Sequence, residues 1–219
     1  MKENYKRIDV TSWNRREHFL YYQNTIQTSA AVTVTVDVTE ILSYAHRSGR
    51  KFYPCMVWAV SSVINRMDEM KMMLDDQGNP GVWDSVVPVY TVFHEESHTF
   101  SDLWCDFHED LDDFYDDFVH TTEVYGHHVG IKGRPDQPEN FYCISCVPWL
   151  SFDAVNVSAS GQPPLFPIIT YGKYTMDHEG RYRLPFAIKI AHAAADGYHY
   201  HIAQFFKKLQ DTIAEFEGR

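Results

Sequence analysis

Phe186-Ala-Ile-Lys-Ile-Ala191-His192-Ala-Ala-Ala-Asp196-Gly197 joins an apolar run to a histidine, three small residues and an Asp-Gly pair. The run from 182 to 191 reads as a strand that delivers His192 at its C-terminal end. Gly197 permits a backbone turn that a Cβ would resist. A helix then begins at about Tyr198, with Ile202, Phe205, Phe206, Leu209 and Ile213 at helical spacing. Three alanines should leave space around the imidazole for a substrate. A histidine at a strand end beside a cavity is where a general base is useful. The bare pattern is short and matches by chance. A second reading takes His192, Asp196, His199 and His201 as metal ligands. Residues two apart on a helix diverge, so His199 and His201 would not share a site, and no metal is expected.

Working outward, strands are expected near 141–147 and 166–173, with a loop at Ser158–Pro164. Residues 31–38 alternate strictly: Val32, Val34, Val36 and Val38 on one face, Thr33, Thr35 and Asp37 on the other. Short strands are expected at Val82–Trp83, Val86–Phe93 and Thr99–Leu103, and a Gly- and Pro-rich loop over 126–140. Helices are expected over 12–22 with Ser12 as cap, from Thr39 as cap to near Gly49, and over 54–70 opening on Pro54. A fourth, acidic helix spans 106–119, with Phe107, Leu111, Phe114, Tyr115 and Phe118 as its apolar stripe. Its acidic face reads as solvated, since the glycine of a calcium-binding loop is missing. Mixed strands and helices without regular alternation point to an α/β fold. It is a two-layer sandwich, a large mixed sheet with helices packed on it, in a single domain spanning 1–219.

Charge narrows the function classes. A formal net charge of −11 argues against nucleic acid and anionic membrane surfaces as partners. The polar start, Met1-Lys-Glu-Asn-Tyr-Lys-Arg, lacks the apolar core of a signal peptide. No apolar run approaches the roughly 20 residues that cross a bilayer. A cytoplasmic protein is expected. Of the four cysteines, Cys143 and Cys146 form a C-x-x-C. On a strand, positions three apart point to opposite faces, so reduced thiols are expected rather than a redox or zinc pair.

Further stretches give the histidine loop company. Trp13-Asn-Arg-Arg-Glu-His-Phe19, Lys51-Phe-Tyr-Pro54, Val82-Trp-Asp-Ser85, Tyr90-Thr-Val-Phe-His94 and Thr99-Phe-Ser101 precede it. So do Pro138-Glu-Asn140, Ser145-Cys-Val-Pro-Trp149 and Pro167-Ile-Ile-Thr170, and His192-Ala-Ala-Ala-Asp-Gly-Tyr-His199 closes the series. In this order and spacing, over nearly the whole chain, the sequence resembles the chloramphenicol acetyltransferase family.

The resemblance implies an acetyl-CoA-dependent O-acetylation of chloramphenicol, which inactivates the antibiotic. His192 would take the proton of the acceptor hydroxyl as its oxygen attacks the thioester. Ser145 would donate a hydrogen bond to the tetrahedral oxyanion, and Thr170 would hold a water near the same centre. Transfer would be direct, in a ternary complex, without an acyl-enzyme. A triad Ser145–His192–Asp196 is set aside, because the resemblance pairs Asp196 with Arg15 to fix the loop. Tyr22, Ile26, Phe100 and Val157 fall at acceptor-binding positions; Lys51, Lys173 and Tyr174 fall near CoA. The family forms homotrimers with active sites between subunits.

The acceptor side departs from the family pattern. Ile26 and Val157 stand where leucines are usual, and Thr28 where a cysteine is frequent. In Ile131-Lys132-Gly133 the lysine falls where an aromatic is often found, and Ala191 replaces a second histidine. A related acyltransferase of other acceptor specificity is therefore the nearest alternative. Dihydrolipoamide acyltransferase cores share the His-x-x-x-Asp-Gly loop, but no lipoyl domain or linker is found here. A ligand-sequestering protein that keeps the pocket without catalysis is a third reading.

Overall fold

The computed structural model describes residues 4–158, 161–196 and 201–219. The chain opens with β1 (Tyr5–Arg7) and α1 (Arg16–Asn24). Ser12 does not cap α1. Its hydroxyl and that of Thr11 are taken by the Asp9 carboxylate in a turn, and Arg15 holds the cap position. Strand β2 (Ser29–Asp37) carries the valine/threonine alternation. Helix α2 (Thr39–Ser48) is started by Asp37, whose carboxylate accepts from the Thr39 amide and hydroxyl; Thr39 is the first helical residue rather than the cap. Gly49 closes α2 at φ +70°, a left-handed conformation that disfavours a Cβ.

Helix α3 (Phe52–Asn65) begins two residues before Pro54 and ends short of the expected 70. A 3₁₀ turn over Asp68–Lys71 follows it, sinking Met70 into the core. Strands β3 (Met72–Leu74) and β4 (Pro80–Trp83) follow, and β4 pairs with both β1 and β3 in a small antiparallel sheet. Then come β5 (Val87–His94), β6 (Thr99–Trp104) and α4 (Leu111–Tyr125). Helix α4 starts later than position 106 because Asp110 caps it, accepting from the amides of Asp112 and Asp113. Phe107 still packs on the core from outside the helix. The chain ends with β7 (Phe141–Val147), β8 (Ile168–Gly172), β9 (Thr175–Met176), β10 (Tyr182–Ala191) and α5 (His201–Ala214). The turn expected at Gly197, the helix start near Tyr198, and His199 lie outside the described residues.

The main sheet runs β2-β10-β8-β7-β5-β6, with β9 added on β10. The β5–β7 and β7–β8 pairs are parallel and the rest antiparallel, so the sheet is mixed as the sequence suggested. Helices α2, α3, α4 and α5 pack together over one face. Helix α3 is buried from Pro54 to Ile64. Its Ser61 hydroxyl bonds the Val57 carbonyl and the Tyr142 hydroxyl, so neither buried oxygen is left unpaired.

Side chains of β2, β10, β8 and β7 at Val34, Phe186, Tyr171 and Ile144 point into this layer. The residues between them point away. Register and hydrogen bonding then line up Asp102, Thr91, Ser145, Thr170, Ala187 and Thr33 in one row across the far face. No helix among the described residues is long and apolar enough to cross a membrane.

Candidate active site

The β10–β2 ladder reaches Ala191↔Ser29, and the His192 amide extends it by donating to Thr28 O at 3.0 Å. The chain then turns, with the amides of Ala194 and Ala195 both donating to Ala191 O. All three alanines are buried at 1% exposure or less. Their small size lets the turn pack into the core; it does not open space around the imidazole, as the sequence suggested. The His192 ring instead lies flat on Tyr22, with centroids 3.9 Å apart and planes 7° from parallel.

Arg15 ties this turn down. One guanidinium nitrogen, Nη1, pairs with Asp196 Oδ2; the other, Nη2, donates to the carbonyls of His192 (3.3 Å) and Ala193 (3.4 Å). The remaining carboxylate oxygen, Oδ1, stands 3.5 Å from His192 Nδ1, and neither atom has a hydrogen-bond partner among the described residues. Asp196 thus faces the imidazole without bonding to it. His201 adds a hold that sequence reasoning missed. Its Nδ1 accepts the Asp196 amide at 3.1 Å, so its Nε2 carries the proton, 3.3 Å from Glu69. The sequence offers it only as a candidate metal ligand, not as a partner of the Asp196 amide. It does not join a metal set: among the described residues no three His, Cys, Asp or Glu gather as ligands.

A second centre forms where β5 and β7 part. Their ladder ends at Tyr90↔Ile144, although β5 continues to His94 and β7 to Val147. A cavity of about 1000 Å³ fills the fork. Tyr53 and Phe118 line it from the helical layer; Ser145 and Phe93 line it from the far face. It is therefore a passage through the sheet. Ser145 stands at the crotch, its hydroxyl 3.2 Å from that of Thr91. On the sequence Thr91 reads only as a β-former within Tyr90-Thr-Val-Phe-His94. Thr170 is the cross-strand neighbour of Ser145 on β8.

Lys51, Lys173, Tyr174 and Phe100 line the same cavity. Lys51 immediately precedes α3, and Lys173 and Tyr174 follow β8. Cys146 also lines the cavity, but burial pushes its thiol up to about 11 and that of Cys143 up to about 12. All four cysteines are free. A thiolate or redox pair is disfavoured there.

These two centres do not meet within one chain. Ser145 lies level with Thr170, and Thr170 level with Ala187. His192 is a further five residues along β10, roughly 16 Å at strand rise. Tyr22 accompanies His192. Ile26 and Val157 belong to neither set: they stand 47% and 48% exposed, with Val157 O accepting from Lys189 Nζ on β10. Ile131-Lys132-Gly133 runs beside β6, where the Asp102 amide donates to Ile131 O and the Gly133 amide to Asp102 O. A Cβ on Gly133 would come within 2.6 Å of the buried Leu103 side chain, which would have to shift to admit it.

The sequence pattern of the chloramphenicol acetyltransferase family matches residues 3–210. A chloramphenicol acetyltransferase of Campylobacter coli is 34% identical over 210 residues, covering 95% of this chain and 98% of that one. Chloramphenicol acetyltransferase 3 of Escherichia coli is 36% identical over 209 residues, covering 95% and 96%. Among solved structures, a chloramphenicol acetyltransferase superposes with a TM-score of 0.79 at 22% identity, over 95% of this chain and 97% of that one. A dihydrolipoamide acetyltransferase of Azotobacter vinelandii gives 0.67 at 14% identity, over 91% and 86%, which shows a shared fold. By the family match along the sequence, this chain belongs to the chloramphenicol acetyltransferase family.

Proposed function

We propose that the protein transfers the acetyl group of acetyl-CoA to a hydroxyl of chloramphenicol, in a cytoplasmic homotrimer whose sites lie between copies. The observation that carries this reading is the passage at the strand fork. It gathers Ser145, Phe100, Lys51, Lys173 and Tyr174. The thioester would lie within it, with phosphates near Lys51 and Lys173 and the acceptor entering from the far face.

The acceptor hydroxyl gives its proton to His192 while its oxygen attacks the thioester carbon. His192 Nδ1 is buried against Asp196, which leaves Nε2 to receive that proton. The carbonyl oxygen becomes an oxyanion and accepts a hydrogen bond from Ser145. If Ser145 donates there, it accepts from Thr91, so Thr91 aims the serine proton into the cavity. Collapse breaks the carbon–sulfur bond, and the imidazolium returns its proton to the leaving thiolate. Losing one oxyanion donor costs about 10²–10³ in rate. Thr170, beside Ser145, would hold a water at the same centre. Tyr22, Ile26 and Val157 would wall the acceptor from the copy that supplies His192. The exposure of Ile26 and Val157 suits surfaces that a second copy covers.

Thiol release from acetyl-CoA, with chloramphenicol and purified protein, tests the reading. Release by the native protein and at least a 10³-fold loss in His192→Ala are expected. Release with another alcohol but none with chloramphenicol would keep the reaction and replace the acceptor. Binding of chloramphenicol with no thiol release would mark a sequestering protein.

A further inference from the structure

We propose that Asp102 makes the acceptor side of this site favour, over neutral chloramphenicol, hydroxylated molecules that carry a positive group, such as protonated amino alcohols. This rests on the reading of Ser145 as the reaction centre. Asp102 lies on β6 directly across from Thr91, whose hydroxyl meets that of Ser145 at 3.2 Å. It shares the far face of the sheet with Ser145 and Thr91, and with Phe100, which lines the cavity. Two strand spacings put it about 10 Å from Ser145, within the span of one small acceptor.

The carboxyl is half-buried, and no hydrogen bond or ion pair reaches it among the described residues. Burial alone pushes its proton affinity up. The nearby cations do not serve it. Lys132 pairs with Asp102 only as a backbone bridge. Arg134 lies 3.6 Å over the Trp104 ring and donates to Trp104 O and the Thr121 hydroxyl. A partly desolvated carboxylate without a partner is unfavourable. A ligand ammonium would supply the missing charge and a charge-assisted hydrogen bond. A neutral acceptor leaves the carboxylate unpaired or forces it to take up a proton.

The test compares two acceptors of one skeleton: chloramphenicol, and the aminodiol left when its dichloroacetyl group is removed. Thiol release is measured with native protein, Asp102→Asn and Asp102→Glu, alongside melting temperature and oligomeric state. The ratio of kcat/KM, aminodiol over chloramphenicol, should fall about 10- to 100-fold in Asp102→Asn, the size of a charged hydrogen bond. The change should lie in KM, and Asp102→Glu should recover part of it. An unchanged ratio overturns the proposal. So does a lost trimer or lowered melting temperature without a change in ratio, since Asp102 would then pair with a cation of a neighbouring copy. Release with chloramphenicol and none with the aminodiol sinks the selectivity alone. Release with neither removes the Ser145 reading as well.

Discussion

Asp196 touches both halves of the histidine turn, and its role separates two mechanisms. Its carboxylate is shared between the Arg15 guanidinium and the edge of the His192 ring. Arg15 is largely buried and also holds two turn carbonyls, so cutting the pair frees the turn. The Asp196 side chain is 41% exposed, which reduces the cost below that of a fully buried pair. Asp196→Asn should therefore cost about 2 kcal/mol of stability. For a chain of this length that is a fall of roughly 5 °C in melting temperature. Activity should fall with it, because the Tyr22 stack no longer meets a fixed imidazole. Thermal melts and thiol-release rates on one preparation check both. Full stability with lost activity would show that the carboxylate acts on the imidazole directly. The sequence identified Arg15 and Asp196 through the family pattern. It could not show the 3.5 Å approach to Nδ1, which depends on how the turn packs.

Among the elements, the hairpin from β9 to β10 is pinned by one carboxylate. Asp177 accepts from the Arg183 side chain and from the amides of Arg181 and Glu179, which lowers its pKa from 3.8 to about 2. In the unfolded chain those partners are gone. Between about pH 4 and 2 the unfolded state binds the extra proton, so stability falls as the pH drops through that window. Above it, the contribution is constant. Asp177→Asn should melt lower than the native protein at pH 6 and converge with it near pH 2, in melts across that range. Element existence was legible where periodicity was long: β2, β7, β10, α5 and the stripe of α4 stand near their expected places. The ends were not. Asp37 and Asp110 set helix starts by side-chain hydrogen bonds, and β1, β3 and β9 are too short to alternate.

At the scale of the molecule, the separation of His192 from Ser145 makes a sharp claim about assembly. If each site takes His192 from one copy and Ser145 from the next, two inactive variants can complement. Co-expressed His192→Ala and Ser145→Ala chains, mixed at random, place both native residues at ~one-quarter of sites. About a quarter of native thiol release is expected, while each variant alone stays near background. No recovery from a preparation that contains mixed trimers would place both residues in one chain's site. The exposed Ile26, Phe93, Phe100, Ile131, Trp149 and Val157 provide the apolar surface such an assembly would cover.

Read alone, the sequence determined the fold class, because valine/threonine alternation and helical stripes are local consequences of backbone geometry. It also determined the family, and through the family's pattern it singled out the segment from His192 to Asp196, with Ser145, as candidates for the site. Only the tertiary structure decided that the three alanines fill core rather than open space, since burial depends on what packs against them. Only it showed that β5 and β7 part after Tyr90 and Ile144, because the end of a ladder is set by neighbours distant in sequence. The β5–β6 ladder likewise sets Asp102 beside Thr91, with no cation paired to its carboxylate among the described residues. That arrangement is a matter of strand register, which no single segment records.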